Sequence, residues 1–226
     1  LRNLVQLSCS TLVKMQRPTI VAIGGFTSQV GKTTLMCDLL GAFPGWEAIK
    51  TTRGHYRSCG KEPEACCVSH LLRDEPSIRS GRDETYAPGK DTGRYWDAGA
   101  SAVHWMIVTE GQVEQGIKSA LRRVTAPGVF VEGNSFTRFV EVDLMLMAAR
   151  ADGGKIKSSA RRALAATSAI YLSDPTNNSV AARAAFALWR SKSAAGELVG
   201  DLPIYTRVDL PEVIGRLRRI HSALAN

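Results

Sequence analysis

One segment constrains this chain more than any other: Gly24-Gly-Phe-Thr-Ser-Gln-Val-Gly-Lys-Thr-Thr34, between the apolar run Thr19–Ile23 and a helical pattern at about Lys32–Ala42. A short apolar run bounded by glycine reads as a buried strand, and Pro44-Gly45 stops the helix that follows. In a strand–turn–helix context, successive backbone N–H groups of a glycine-rich turn can wrap a polyphosphate, and the helix N-terminus adds a favourable dipole. The candidate phosphate ligands are Gly25, Thr27, Ser28, Gln29, Val30, Gly31, Lys32, Thr33 and Thr34. Lys32 is expected to reach the β and γ phosphates and Thr33 to offer its hydroxyl to Mg²⁺. Gly31 would let the backbone approach the phosphates without a Cβ in the way. Five residues rather than four separate Gly25 from Gly31, so the loop is longer than the commonest form.

Short apolar runs alternate with helical patterns along the rest of the chain. Strands are expected at Trp46–Thr51, Ala102–Val108, Val129–Glu132, Leu144–Ala149, Ala169–Leu172 and Pro203–Thr206. Helices are expected near Val113–Arg123, Ser158–Ala166, Val180–Ser191 and Pro211–Leu224, the last with Asp209 as a cap. Such alternation predicts an α/β fold, a mostly parallel sheet with helices on both faces, of the P-loop nucleoside triphosphate hydrolase kind. Ligands would then gather at the carboxyl ends of the strands. The stretch 53–97 breaks the rhythm. It is rich in Gly, Arg, Pro and Cys and far exceeds the ordinary connection of about four to six residues, so it reads as an insert serving as a lid or binding loop.

Length and composition fit one nucleotide-binding domain over 18–226. The segment 1–17 reads as an N-terminal extension, either a leader ahead of a start at Met15 or an extra segment packed on the domain. With 44% hydrophobic and 22% charged residues among 226, the chain has the makings of a full core. No apolar run reaches the roughly 18 residues a membrane span needs, and the expected location is the cytoplasm. The five cysteines form no secreted disulfide framework and read as reduced thiols. A net charge of +8 favours anionic partners. The basic residues fall in helix-face pairs such as Arg122-Arg123 and Arg161-Arg162 without interleaved aromatics, so nucleic acid is not the expected partner.

Two further positions carry candidate chemistry. Ala126-Pro-Gly-Val-Phe-Val-Glu-Gly133 is an apolar strand ending in a carboxylate, and Glu132 is the candidate acid supporting Mg²⁺. Gly133 after it suits a chain passing close to a ligand. Lys50, at the end of the second strand, would bring a second positive charge to the γ-phosphate or to an acidic co-substrate.

With these elements assigned, the sequence resembles the molybdopterin-guanine dinucleotide biosynthesis protein B family. Four segments carry the likeness: Val30-Gly-Lys-Thr-Thr-Leu35; Ile49-Lys-Thr-Thr-Arg53 with His55; Gly89-Lys-Asp-Thr-Gly-Arg-Tyr-Trp-Asp-Ala-Gly-Ala100; and Val131-Glu-Gly133. It extends from about Pro18 to Ser173. The resemblance implies GTP with Mg²⁺, weak hydrolysis, a homodimer, and a partner enzyme that attaches the nucleotide to a pterin cofactor. It makes Asp91 a candidate for Mg²⁺ or γ-phosphate contact and Arg94 for an anion contact. The longer loop is also similar to that of dethiobiotin synthetase, which keeps open an ATP-dependent ligase with Lys50 on an acidic substrate. The family's phosphate loop is usually closer to Gly-x-Ser-Gly-Ser-Gly-Lys-Thr-Thr, and no Asn/Thr-Lys-x-Asp element for guanine is evident. Thr176-Asn-Asn178 would serve the base, with Asn177 as the candidate contact.

His55, Cys59, Cys66, Cys67 and His70 crowd within the insert. Thiolate and imidazole at that density would suit Zn²⁺ or an iron–sulfur centre. A reduced cysteine pair on a short helix near Ala65–Leu72 is the other reading. A metal there would favour a third function, a carrier whose nucleotide only switches its shape. Replacing Lys32 by Ala should abolish triphosphate binding and leave the fold intact, since the lysine is a loop charge and not a core residue. Calorimetric titration beside a thermal melt checks both parts, and unchanged affinity would remove the phosphate-loop assignment.

Overall fold

The computed structural model describes residues 17–54, 68–174, 176 and 178–225. Its strands are β1 (Thr19–Gly25), β2 (Glu47–Arg53), β3 (Ser77–Ser80), β4 (Val103–Val108), β5 (Gly128–Glu132), β6 (Leu144–Arg150), β7 (Ala169–Ser173) and β8 (Ile204–Tyr205). They form one sheet in the order β3-β4-β2-β5-β1-β6-β7-β8. Every neighbouring pair is parallel except β3 with β4. The helices are α1 (Lys32–Ala42), α2 (Arg82–Thr85), α3 (Asp91–Asp97), α4 (Val113–Leu121), α5 (Ser158–Ala163), α6 (Ser179–Lys192), α7 (Ala194–Glu197) and α8 (Leu210–Ala225). The mostly parallel α/β architecture expected from the alternation is the one observed.

Central β1 is buried at all of its residues, and its alternate side chains feed two cores. Val21 and Ile23 pack with Leu35, Met36, Leu39 and Leu40 of α1 and with Val213 and Leu217 of α8. Ile20 and Ala22 belong to the opposite layer, with Ile117 of α4, Ala160 of α5 and Phe186 of α6. The period-2 pleat of a fully covered strand gives this two-sided burial. Among the described residues, no helix is long and apolar enough to cross a membrane.

The stretch 53–97 is not simply a lid or loop. Its described part, from residue 68 on, adds β3 antiparallel to β4 at the sheet edge and then α2 and α3. Ser-Ile-Arg-Ser gives no strand signal, because an edge strand whose residues are all half-exposed needs no apolar run. The cap ahead of α8 also differs from expectation. Thr206 is the capping residue of a 3₁₀ turn over Arg207–Asp209, and Asp209 accepts from the Thr206 amide and hydroxyl at 2.6 and 2.7 Å. Asp209 thus completes a capping box before α8 instead of capping it directly.

At the amino ends of the strands, Glu47 is buried in a polar knot. Its Oε1 accepts from the amides of Thr125 and Ala126 at 3.0 and 2.9 Å and from the Thr125 hydroxyl, while its Oε2 meets His104 at 2.9 Å. Burial alone would raise this carboxyl, but the bonds from His104, Thr125 and Ala126 outweigh it and hold its pKa at about 2. A carboxyl depressed on folding contributes stability above its unfolded value and loses it as pH falls through the folded one. The parent should therefore shed stability between about pH 4.5 and pH 2. Glu47→Gln should be less stable than the parent at pH 7, with the difference shrinking across that window in urea denaturation.

Candidate functional site

The β1–α1 connection lies at the carboxyl edge of the sheet, and parallel pairing carries the other residues to it. Register sets Ile23 beside Glu132 and Glu132 beside Lys50, so β1, β5 and β2 end side by side. Helix α3 begins at Asp91, which reaches the same place from the far side of the insert.

Local geometry accounts for the glycines. Gly31 has φ +82°, and a Cβ there would stand 2.7 Å from Cβ of Ser173, so the tip of β7 requires glycine as well as any ligand. Asn134 pins the start of the loop: its Oδ1 accepts from the Gly25 amide at 2.9 Å, and its Nδ2 donates to the Gly25 carbonyl at 2.9 Å. A Cβ on Gly24 would lie 2.6 Å from that Oδ1, so the first glycine clears space for the asparagine. Gly133 is crowded by Thr51, whose Oγ1 would be 1.9 Å from a Cβ, so its steric reason lies in the protein itself. Lys32 folds back to donate to the Thr27 carbonyl at 3.1 Å. Burial lowers the Lys32 pKa and Lys50 adds to the effect, against the pull of Glu132.

Four elements meet at one charge cluster. Thr33 Oγ1 is 3.0 Å from Asp91 Oδ1 and 3.1 Å from Glu132 Oε2. Lys50 Nζ donates to Asp91 Oδ2 at 2.5 Å and to Glu132 Oε1 at 2.6 Å. The Tyr95 hydroxyl donates to Glu132 Oε2, and both residues are buried. Thr51 donates to the Glu132 carbonyl at 2.6 Å, fixing the strand tip. Burial would lower the Lys50 pKa, but Glu132 and Asp91 outweigh it and hold it above the ordinary value. Burial would likewise raise Asp91, yet Lys50 and Thr33 keep it below the usual carboxylate range. Burial and then Glu132 push the Tyr95 phenol well up, so it remains a donor. Two carboxylates and a hydroxyl are the hard oxygen set that Mg²⁺ takes, and Lys50 holds only one oxygen of each carboxylate, leaving the other beside Thr33. Asp91, Glu132 and Thr33 fit the ion.

A cavity of about 640 Å³ opens over this cluster. Ser28 to Thr34 form one side, and Lys50, Arg53, Asp91, Arg94, Asn134 and Lys157 line it as well. Arg94 donates to the Thr34 hydroxyl at 3.3 Å. A second cavity of about 670 Å³ shares Gln29, Gly31 and Thr34 and is lined by Asp38, Tyr171, Asp174, Thr176 and Arg207. There Asp174 Oδ1 accepts from the amide and hydroxyl of Thr176 at 2.9 and 2.6 Å, and its Oδ2 is buried with no partner among the described residues. Those bonds from Thr176 hold the Asp174 carboxyl below its ordinary value, so it is an acceptor at neutral pH.

Asn177, His55, Cys59, Cys66 and Cys67 lie outside the described residues. His70 is exposed on a 3₁₀ turn, Ser69–Leu71, and the described residues bring together no metal-binding group of His, Cys, Asp and Glu. Cys37 is a free thiol that burial pushes up to about 11. Sequence reasoning missed Asn134, Tyr95, Thr51, Lys157 and Asp174. Thr51 and Tyr95 sit inside the stretches that carry the family resemblance, Asn134 immediately follows one of them, and Asp174 immediately follows a strand tip. Those were the available signals.

No protein-family model and no curated protein matches this chain. Among solved structures, it is similar to the 54 kDa protein of the signal recognition particle from Aeropyrum pernix K1, determined in complex with GDP. The likeness covers 93% of this chain and 50% of that one, at 15% identity and a TM-score of 0.43. This chain thus spans about half the length of that protein.

Asp91→Asn keeps the shape of the cluster and removes one charge. A carboxylate beside a triphosphate is costly unless a cation lies between them. The variant should therefore weaken triphosphate binding or hydrolysis mainly when Mg²⁺ is present, with little change in its absence. Titration of nucleotide at several Mg²⁺ concentrations checks this, and parent-like behaviour at all of them would leave Asp91 a structural group.

Proposed function

We propose that the chain binds GTP with Mg²⁺ and hydrolyses it slowly, as a P-loop protein assisting molybdenum-cofactor maturation. The observation that carries this reading is the convergence of Lys32, Thr33, Asp91 and Glu132, from three separate segments, on one cavity beside a glycine-rich loop at a helix N-terminus. Lys32 would swing from the Thr27 carbonyl to the β and γ phosphates, where its charge counters the negative charge that builds in phosphoryl transfer. Thr33 with Asp91 and Glu132 would hold the magnesium shell, and the ion when bound would neutralise phosphate charge. Lys50, already paired with both acids, keeps Asp91 ionised and holds both side chains in place. Tyr95 holds one oxygen of Glu132, leaving that carboxylate little freedom to turn.

The second cavity gives a physical reason for guanine. The N1–H and 2-amino group of guanine are adjacent donors that suit an ionised carboxylate, whereas adenine offers no such pair. Asp174, with Oδ2 lacking a partner among the described residues, is the acceptor we assign to them. Homodimer formation and a partner enzyme acting on a pterin follow only from the likeness to the molybdopterin-guanine dinucleotide biosynthesis protein B family. One observation favours a second reading, a ligase or synthetase: Arg53 and Lys157 line the same cavity as the phosphate loop and would suit an acidic co-substrate.

GTP should be preferred over ATP by at least about tenfold, roughly 1.4 kcal/mol, and Asp174→Asn should erase most of that preference while retaining affinity for inorganic pyrophosphate. Calorimetry with GTP and ATP, each with Mg²⁺, checks both. Equal affinities in the parent would move the weight to the synthetase reading, for which rapid phosphate release would require a co-substrate.

A further inference from the structure

Four segments at the carboxyl edge of the sheet bring one charged side chain each to a cluster that joins the first cavity at Arg53. Arg53 ends β2, Glu110 opens the 3₁₀ turn after β4, Arg138 closes the turn after β5, and Arg162 lies in α5 after β6. All three arginines face the one glutamate. Arg53 is ion-paired with Glu110 Oε2, while Arg138 and Arg162 stand 3.6 and 3.8 Å from its Oε1. The last two distances exceed a hydrogen bond, so charge rather than directed bonding holds those guanidiniums around the carboxylate. Lys157 lines the cavity with Arg53, tied next to the phosphate loop by its amide donating to the Phe26 carbonyl at 3.0 Å. Burial chiefly, with Lys32 and Arg53 adding to it against the pull of Glu132, depresses the Lys157 pKa.

We infer that Arg53, Arg138, Arg162 and Lys157 form a second anion subsite, separate from the phosphate loop, that takes a dianionic phosphate group in the place Glu110 now holds. One carboxylate leaves three guanidinium forks under-compensated, and a tetrahedral dianion matches such forks better than a single carboxylate does. The cluster is open to water, with Arg138, Arg162 and Glu110 about half exposed, so an anion can enter and displace the glutamate. Met106 and Val108 add apolar surface to the same cavity, suited to the body of a small molecule carrying the phosphate. The anion has two possible sources: a phosphomonoester on a second substrate, or the inorganic phosphate released on hydrolysis. This inference rests on the nucleotide reading for its place in the reaction, but its test does not.

The test titrates the full chain first with GDP and Mg²⁺, then, with GDP saturating, separately with inorganic phosphate and with phenyl phosphate. Arg138→Gln combined with Arg162→Gln should weaken the phosphate titration by about tenfold and leave the GDP affinity within about twofold. Glu110→Gln should tighten it several-fold, because it removes the resident competitor. Binding of both probes assigns the subsite to a phosphomonoester substrate, and binding of inorganic phosphate alone assigns it to the released product. Either supports the inference. Parent-like phosphate binding by the double variant, no binding of either probe to the parent, or weaker binding by Glu110→Gln would overturn it. Failure of GDP to bind would instead count against the nucleotide reading, and the phosphate titrations would then be run without it and judged in the same way.

Discussion

Lys50 lies between Asp91 and Glu132, and the candidate site depends on that contact. Two carboxylates near one threonine hydroxyl repel each other, by about 3 kcal/mol for unit charges roughly 5 Å apart at an effective dielectric near 20. The lysine reverses the sign of that local balance. Its two short bonds also join β2, β5 and α3, elements far apart in sequence, beneath the first residues of α1. A buried pair of this kind is weak evidence for stability, since desolvation offsets much of its attraction. Its value lies in position: it holds two acidic side chains where a divalent cation would also need them. A cation entering beside Thr33 would meet Asp91 Oδ1 and Glu132 Oε2, while Lys50 holds the other oxygen of each carboxylate, so ion and lysine would share the two acids without displacing one another.

How much of this was legible in the sequence follows from burial. Strands buried on both faces, such as β1 and β5, are uniformly apolar and announce themselves. The glycine-rich loop is legible for a related reason, because Gly31 answers a positive φ that few other residues tolerate. Edge strand β3 gives no contrast, since its residues are half-exposed and its pairing with β4 supplies what its side chains do not. Contacts across the sheet were beyond sequence reasoning: Lys50 meets Glu132 only because β2 lies beside β5 in the strand order. Asn134 stood two residues past a recognised acid, yet its bonds to Gly25 exist only when β5 lies against β1.

The two cavities divide the work by charge. The first is crowded with cations and holds the acid pair. The second, reached from the other flank of the loop, is lined by Asp38, Asp152 and Asp174 as well as by Arg150 and Arg207. Gln29, Gly31 and Thr34 face both. A ligand with a strongly anionic end and a neutral, donor-rich end would lie across those three residues with each end in a matching field.

Among the described residues the sheet ends in very short strands, four residues in β3 on one side and two in β8 on the other. Unpaired N–H and C=O groups at an edge invite strand addition in proportion to their run. A second copy joining through either of these strands would gain only a few ladder bonds, too little to repay the loss of translational freedom on association. Extension of the sheet from one molecule into the next through β3 or β8 is disfavoured by the brevity of those two margins.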